Sequence, residues 1–330
     1  MMPPPLELVC PAGTPAALRA AVAAGADAIY CGFDNATNAR NFPGLNFSVD
    51  EMRTAIAYAH GQNVKVLIAI NTYPQAGQVD LWRQAVDRAA ELRADAVIIA
   101  DIGLLDYAAT RHPALRRHLS VQASASNAES INFFARAYDV KRVVLPRVLT
   151  IAEIAALNAQ IDVETEVFVF GGLCVMAEGR CSLSSYITGQ SPNMNGVCSP
   201  ACAVKFERRG DEMMSRLGDY TIDIFPPDTP AGYPTICKGR FLVRGEPQYL
   251  FEEPTSLNAM GILAHLQKAG VRALKIEGRQ RGKAYIAEVV GGFRRAVDAL
   301  GQGQSATAGS LLHLTEGGRT TGGAYHKAWR

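Results

Sequence analysis

KVLIAINTYPQAGQVDLWRQAVDRAAELRADAVIIAD, residues 65–101, contains a complete strand–helix–strand unit. Its ends, KVLIAIN at 65–71 and DAVIIAD at 95–101, are short apolar runs without polar alternation, the pattern of strands covered on both faces. Between them, QVDLWRQAVDRAAELRA spaces its apolar residues as an amphipathic helix does. The unit repeats outward. Toward the N-terminus, LELVC at 6–10 runs into the turn PAG, and Thr14 is placed to cap the next helix. AIYCG at 28–32 is a second strand, and a further helix starts near Ser48. Toward the C-terminus, HLSVQAS (118–124), RVVLPR (142–147) and TEVFVFG (165–171) are strands five to seven, each preceded by a helical pattern. Roughly eighty irregular residues follow; then a helix is expected over 256–270, an eighth strand at 273–278 and a last helix, KAYIAEVVGGFRRAVDAL.

Eight strands alternating with eight helices predict an α/β fold, a (β/α)8 TIM-like barrel, with a large cysteine-bearing insert after strand seven. A doubly wound open sheet is the alternative, but no G-x-G-x-x-G follows the first strand. The chain divides into residues 1–171 with strands one to seven, an insert at 172–255, a barrel completion at 256–302 and a Gly- and Ser-rich tail at 303–330. The polar loop FDNATNARNFPGLNFS is too long for a plain connection, which suggests function.

A barrel places its chemistry at the C-terminal ends of the strands. Asn71, Asp101, Gln122, Ser124, Arg147, Lys275, Glu277 and Arg279 fall at such ends. Each is equally an ordinary cap or rim ion pair; together they suggest a cavity for a small, polar, anionic ligand. Arg147, Lys275 and Arg279 are the candidate counter-charges.

The 33 basic and 31 acidic residues leave a net charge of +2, which gives no electrostatic case for general nucleic-acid binding. No run of 18 apolar residues and no signal peptide are visible, so a cytoplasmic location is the expectation. Seven cysteines in a reducing compartment point to metal binding or catalysis rather than disulfides.

Five of them, Cys174, Cys181, Cys198, Cys202 and Cys237, fall in the insert. Six residues separate Cys174 from Cys181, sixteen separate Cys181 from Cys198, and thirty-eight separate Cys198 from Cys237. This is neither the paired C-x2-C of a zinc ribbon nor the tight run of a bacterial ferredoxin. Thiolate softness favours iron–sulfur or zinc, and the polar, glycine-rich surroundings argue against a packed core. Cys10 and Cys31 sit in apolar strands and read as core. His112, His118, His265 and His313 have no ligand-like spacing and read as surface or packing residues. EGRQRGK, from residue 277, reads as a solvated helix start that could touch phosphate.

LELVCPAG, NARNFPGLNF, SVQASASN, VVLPRVL, GGLCVMAEGRCSLSSYITGQSPN, GYPTICKGR, EEPTSLN and KIEGRQR, in this order from residue 6, resemble the collagenase-like peptidase superfamily designated U32, most closely its ubiquinone-biosynthesis branch. TTGGAYHKAW in the tail fits as well. The resemblance implies a 4Fe-4S cluster held by Cys174, Cys181, Cys198 and Cys237, with Cys202 a departure from the pattern. It further implies oxygen-independent hydroxylation of the aromatic ring of an isoprenoid phenol, with prephenate as hydroxyl donor. The implied partners are a homologous UbiV-type subunit in a heterodimer and an SCP2-type lipid carrier. Other superfamily members modify RNA, so an RNA-base hydroxylase is a rival; it predicts a basic surface and an extra RNA-binding domain, against which the near-neutral charge and single-domain length count. A non-catalytic zinc-binding protein and a peptidase are the remaining rivals. H-E-x-x-H and G-x-S-x-G are absent from the sequence, and no Cys has an obvious His partner.

Overall fold

The computed structural model describes residues 5–304 and 310–326. In chain order the barrel half runs β1 (Glu7–Pro11), α1 (Pro15–Ala23), β2 (Ala28–Cys31), α2 (Val49–His60), β3 (Lys65–Ile70), α3 (Asp80–Glu91), β4 (Ala96–Ile99), α4 (Ile102–Arg111), β5 (Arg117–Leu119), α5 (Ala128–Tyr138), β6 (Val140–Val144), α6 (Ile151–Asn158) and β7 (Glu164–Gly172). Two single helical turns follow, α7 (Ser185–Thr188) and α8 (Pro192–Asn195). Then come β8 (Val204–Arg209), β9 (Glu212–Leu217), β10 (Tyr220–Phe225), β11 (Arg240–Val243), β12 (Glu246–Tyr249), β13 (Ser256–Asn258), α9 (Leu263–Lys268), β14 (Ala273–Ile276), α10 (Lys283–Gly301) and β15 (Thr320–Thr321).

β1 to β7 pair in sequence, all parallel, and β14 pairs with both β1 and β7, so eight strands close a barrel. The local chemistry that starts the helices is where the sequence places it. The Thr14 side chain accepts the Ala17 amide, and Ser48 and Thr150 each form a reciprocal capping box with Glu51 and Glu153. The main core lies between the strands and the surrounding helices, and a smaller group inside the barrel includes Val9, Tyr30, Leu67, Ile98 and Ala273.

Three sequence expectations need correction. The helix over 256–270 is a strand, β13, lying antiparallel on the upper part of β7, and only Leu263–Lys268 is α-helical. Strand five stops at Leu119, so Gln122 lies in a 3-10 turn and Ser124 closes it in the left-handed region, φ 54. The insert is more regular than its sequence suggests: β8, β9 and β10 form an antiparallel sheet, and β11 and β12 a hairpin. The tail folds back, with β15 beside β13, Leu311 in the core and the buried Tyr325 hydroxyl donating to the Phe168 carbonyl at 2.5 Å. Residues 327–330, the end of the tail motif, lie outside the described residues.

Candidate functional site

The insert leaves β7 at its C-terminal end, so its cysteines meet the barrel mouth. All seven cysteines are free thiols; Cys174, Cys181 and Cys237 are half-buried, Cys198 and Cys202 exposed. The thiols influence one another across the insert. Burial, then Glu178, pushes the Cys174 thiol up against the opposing pull of Arg147, and Cys237 adds to the rise. Burial and Cys198 raise Cys181. Cys237 is pushed up to about 11, by burial first and then by Cys198, with Cys181 contributing. Four thiols therefore share one electrostatic neighbourhood, and Cys202 acts on Tyr233 at its margin. Among the described residues, no three Cys, His, Asp or Glu side chains close into a ready-made metal cage. In kind, four free sulfur donors on irregular backbone fit an iron–sulfur cluster or zinc.

Below the thiols the rim residues separate into those already occupied and those that are not. Asp101 caps α4 by accepting the Leu104 amide at 2.8 Å. Asn71 accepts the Ala39 amide at 3.0 Å and thereby anchors the long polar loop. The Gln122 carbonyl accepts the Tyr73 hydroxyl at 2.8 Å, while its buried side-chain Oε1 has no partner. Ser124 donates to the Glu178 carbonyl. Arg147 is buried, donates from Nε to Glu178 Oε1 at 2.7 Å and from Nη1 to the Gly172 carbonyl, and lies over the Phe168 ring at 4.0 Å. Burial opposes its charge, and Glu178, with help from Cys174 and Glu277, outweighs that.

Lys275 is not at the rim. Val9, its register neighbour on β1, and Ala273, two residues before it, both belong to the group inside the barrel, so its side chain points the same way. There it pairs with Glu166 at 2.6 Å and lies 3.7 Å from the centre of the Tyr30 ring. Beneath it Arg142 contacts Glu7, Glu164 and Glu166. The lower barrel is thus plugged by paired charges, and His118, buried among them, receives the Arg116 Nε hydrogen bond at 3.0 Å.

The mouth itself is built by Glu277 and Arg279 after β14 and by the loop between β2 and α2. Glu277 Oε2 accepts the Gly172 amide at 3.1 Å. Burial pushes its carboxyl up, but Arg40, Arg147 and that amide outweigh it and hold it below the usual carboxylate range. EGRQRGK is not a solvated helix start: Arg279 is buried, and α10 begins only at Lys283. Arg40, which sequence reasoning passed over inside the motif NARNFPGLNF, joins the parts. One Nη lies 3.7 Å from Glu277 Oε1, and the other donates to the Gly196 carbonyl, two residues before Cys198.

Fold and site define a (β/α)8-barrel protein with a thiol-rich insert set over a cation-bearing mouth. The chain belongs to peptidase family U32, whose profile matches residues 13–320. It is 32% identical to tRNA hydroxylation protein P of Escherichia coli (strain K12), over 94% of this chain and 72% of that protein. It is 29% identical to the Collagenase of Porphyromonas gingivalis, over 89% of this chain and 66% of that protein. It is 28% identical to the 23S rRNA 5-hydroxycytidine C2501 synthase of Escherichia coli (strain K12), over 89% of this chain and 40% of that protein. The solved U32 peptidase Mk0906 superposes with a TM-score of 0.42 at 18% identity, over 50% of this chain and 68% of that one.

Proposed function

We propose that this chain is an oxygen-independent hydroxylase whose insert holds a 4Fe-4S cluster through Cys174, Cys181, Cys198 and Cys237. The carrying observation is that the thiols and the mouth cations occupy one place: Cys174 beside Arg147 and Glu178, and Cys198 in the neighbourhood of Tyr233 and Arg40. That place is the face on which barrels of this kind do chemistry. The hydroxylation named in two of the relatives supports the reaction class. A cluster bound there would relay away the two electrons that the ring loses when it gains a hydroxyl from a donor at the oxidation level of water. The chain's own groups hold an anionic oxygen donor through the mouth cations, and the Arg147–Glu178 pair fixes the turn that carries Cys174.

The substrate in this reading is the ring of an isoprenoid phenol in ubiquinone synthesis, with prephenate as donor. The chain is then the UbiU-like member of a heterodimer with a UbiV-like homologue, served by an SCP2-type lipid carrier in the cytoplasm. The ordered motif set and the near-neutral charge support it over nucleic acid. The names of the RNA-modifying relatives favour a second reading, in which the ring is a nucleobase. One deletion strain separates them. Loss of ubiquinone only in the absence of oxygen is expected; intact ubiquinone with missing hydroxylated nucleosides gives the second reading instead. Anaerobically purified protein without iron and sulfide removes the cluster.

A further inference from the structure

Six arginine and lysine side chains are buried among the described residues: Arg117, Arg142, Arg147, Lys238, Lys275 and Arg279. Five have a carboxylate within ion-pair distance, respectively Asp139, Glu7, Glu178, Glu316 and Glu166. Arg279 has none. It is 5% exposed, and its one hydrogen bond to another side chain runs from Nη1 to the neutral Asn38 Oδ1 at 3.1 Å. A buried charge without a counter-ion costs several kcal/mol. Burial pushes this guanidinium down to about 10; Tyr30, Cys31 and the Glu277 carboxylate oppose the shift and Arg40 adds to it, so it stays charged near neutral pH. Arg40 is held only weakly by Glu277, since 3.7 Å is too long for a hydrogen bond. The same Arg40 grips the Gly196 carbonyl. Gly196 sits at φ +68 and packs on Ala39 so closely that a Cβ there would fall on the Ala39 side chain. The two loops are interlocked, and Cys198 is carried by one of them.

We infer that Arg279 and Arg40 form the binding site for the carboxylate of a small organic acid, and that Arg40 ties the occupancy of that site to the loop bearing Cys198. The anion supplies the direct ion pair that Arg279 lacks, since Glu277, which acts on it, lies beyond ion-pair distance. When Arg40 turns toward it, the Gly196 carbonyl and the Cys198 turn follow. Arg40 is thus a positioning residue for Cys198 as well as a ligand contact. This rests on reading the mouth as a substrate pocket, but not on the cluster.

The test uses the metal-free full chain, with malonate, succinate and phenylpyruvate compared against sodium chloride at equal ionic strength. Melting temperature reports binding, and the alkylation rate of Cys198, read by peptide mass spectrometry, reports the loop. At least one acid should raise the melting temperature of the unsubstituted protein and change the Cys198 rate. Arg279→Gln should weaken that binding by about tenfold or more, the scale of a lost charge-assisted hydrogen bond. Arg279→Lys keeps the charge, guards against misfolding of the first variant, and should bind detectably but more weakly. Arg40→Gln should raise the Cys198 rate severalfold and make it indifferent to the acid, whereas Arg88→Gln on exposed α3 should behave as the unsubstituted protein. The inference is overturned if no acid shifts the unsubstituted protein, if both Arg279 variants bind as it does, or if Arg40→Gln leaves Cys198 unchanged. With no iron in the assay, a failed cluster reconstitution leaves these outcomes intact.

Discussion

Cys198 and Cys202 are four residues apart; Cys198, a member of the proposed ligand set, raises the Cys181 and Cys237 thiols, and Cys202 stands outside that set. Replacing Cys174, Cys181, Cys198 or Cys237 by Ser is therefore expected to abolish iron retention after anaerobic reconstitution, and Cys202→Ser to keep it; iron and sulfide per chain decide. His118 carries a second prediction at this scale. Burial first, and then Arg142, Arg116, Lys275 and Lys65, hold its pKa well below 6.5. The folded protein keeps the ring neutral, while the unfolded chain takes up a proton below that pH. Stability is thus present above pH 6.5 and falls as pH drops through it, by at most about 1.4 kcal/mol per pH unit. Urea midpoints at about pH 7.5 and about pH 5.5 should diverge in the unsubstituted protein and converge in His118→Gln. The thiols were legible in the sequence because their chemistry is distinctive wherever they lie. Which of Arg147, Lys275 and Arg279 remains free was not legible, because the carboxylates that occupy the first two come from residues 178 and 166 on other turns of the chain.

At the scale of the element, caps and strands follow local rules and were readable: Thr14, Ser48 and Thr150 start the helices expected of them. β13 was misread because SLNAMGILAHLQKAG carries a helical pattern throughout, while its first three residues find an open edge on β7. Tertiary pairing overrides propensity there. The turn before Cys181 shows the same dependence. Gly179 has φ +83, and a Cβ on it would fall on the Gln122 carbonyl. Gly179→Ala should cost about 2 kcal/mol or more, measured by urea unfolding, and should loosen iron retention in parallel.

For the whole molecule, the tail is the part whose role composition hides. Its glycines and serines suggest a loose end, but Tyr325 and Leu311 are buried, and Glu316 neutralises the buried Lys238 at 2.5 Å, next to Cys237. Ending the chain after Gln304 leaves that lysine without its partner and should destabilise the protein by about 3–5 kcal/mol. Tyr325→Phe, which removes one hydrogen bond, should cost about 1 kcal/mol. Urea unfolding of both variants checks the pair of values. No helix among the described residues is long and apolar enough to cross a membrane.

By itself the sequence determined the eight-strand barrel, the position of the insert on its working face and the thiols that the insert presents. Those features are written in periodicity, in turn chemistry and in residues that have few alternative uses. Only the tertiary structure decided which cations are spent, that Arg40 links the mouth to the Cys198 loop, and that the tail closes over β13. Charge pairing depends on distance in space, and groups such as Lys275 and Glu166, separated by more than a hundred residues in the chain, meet only when the barrel closes.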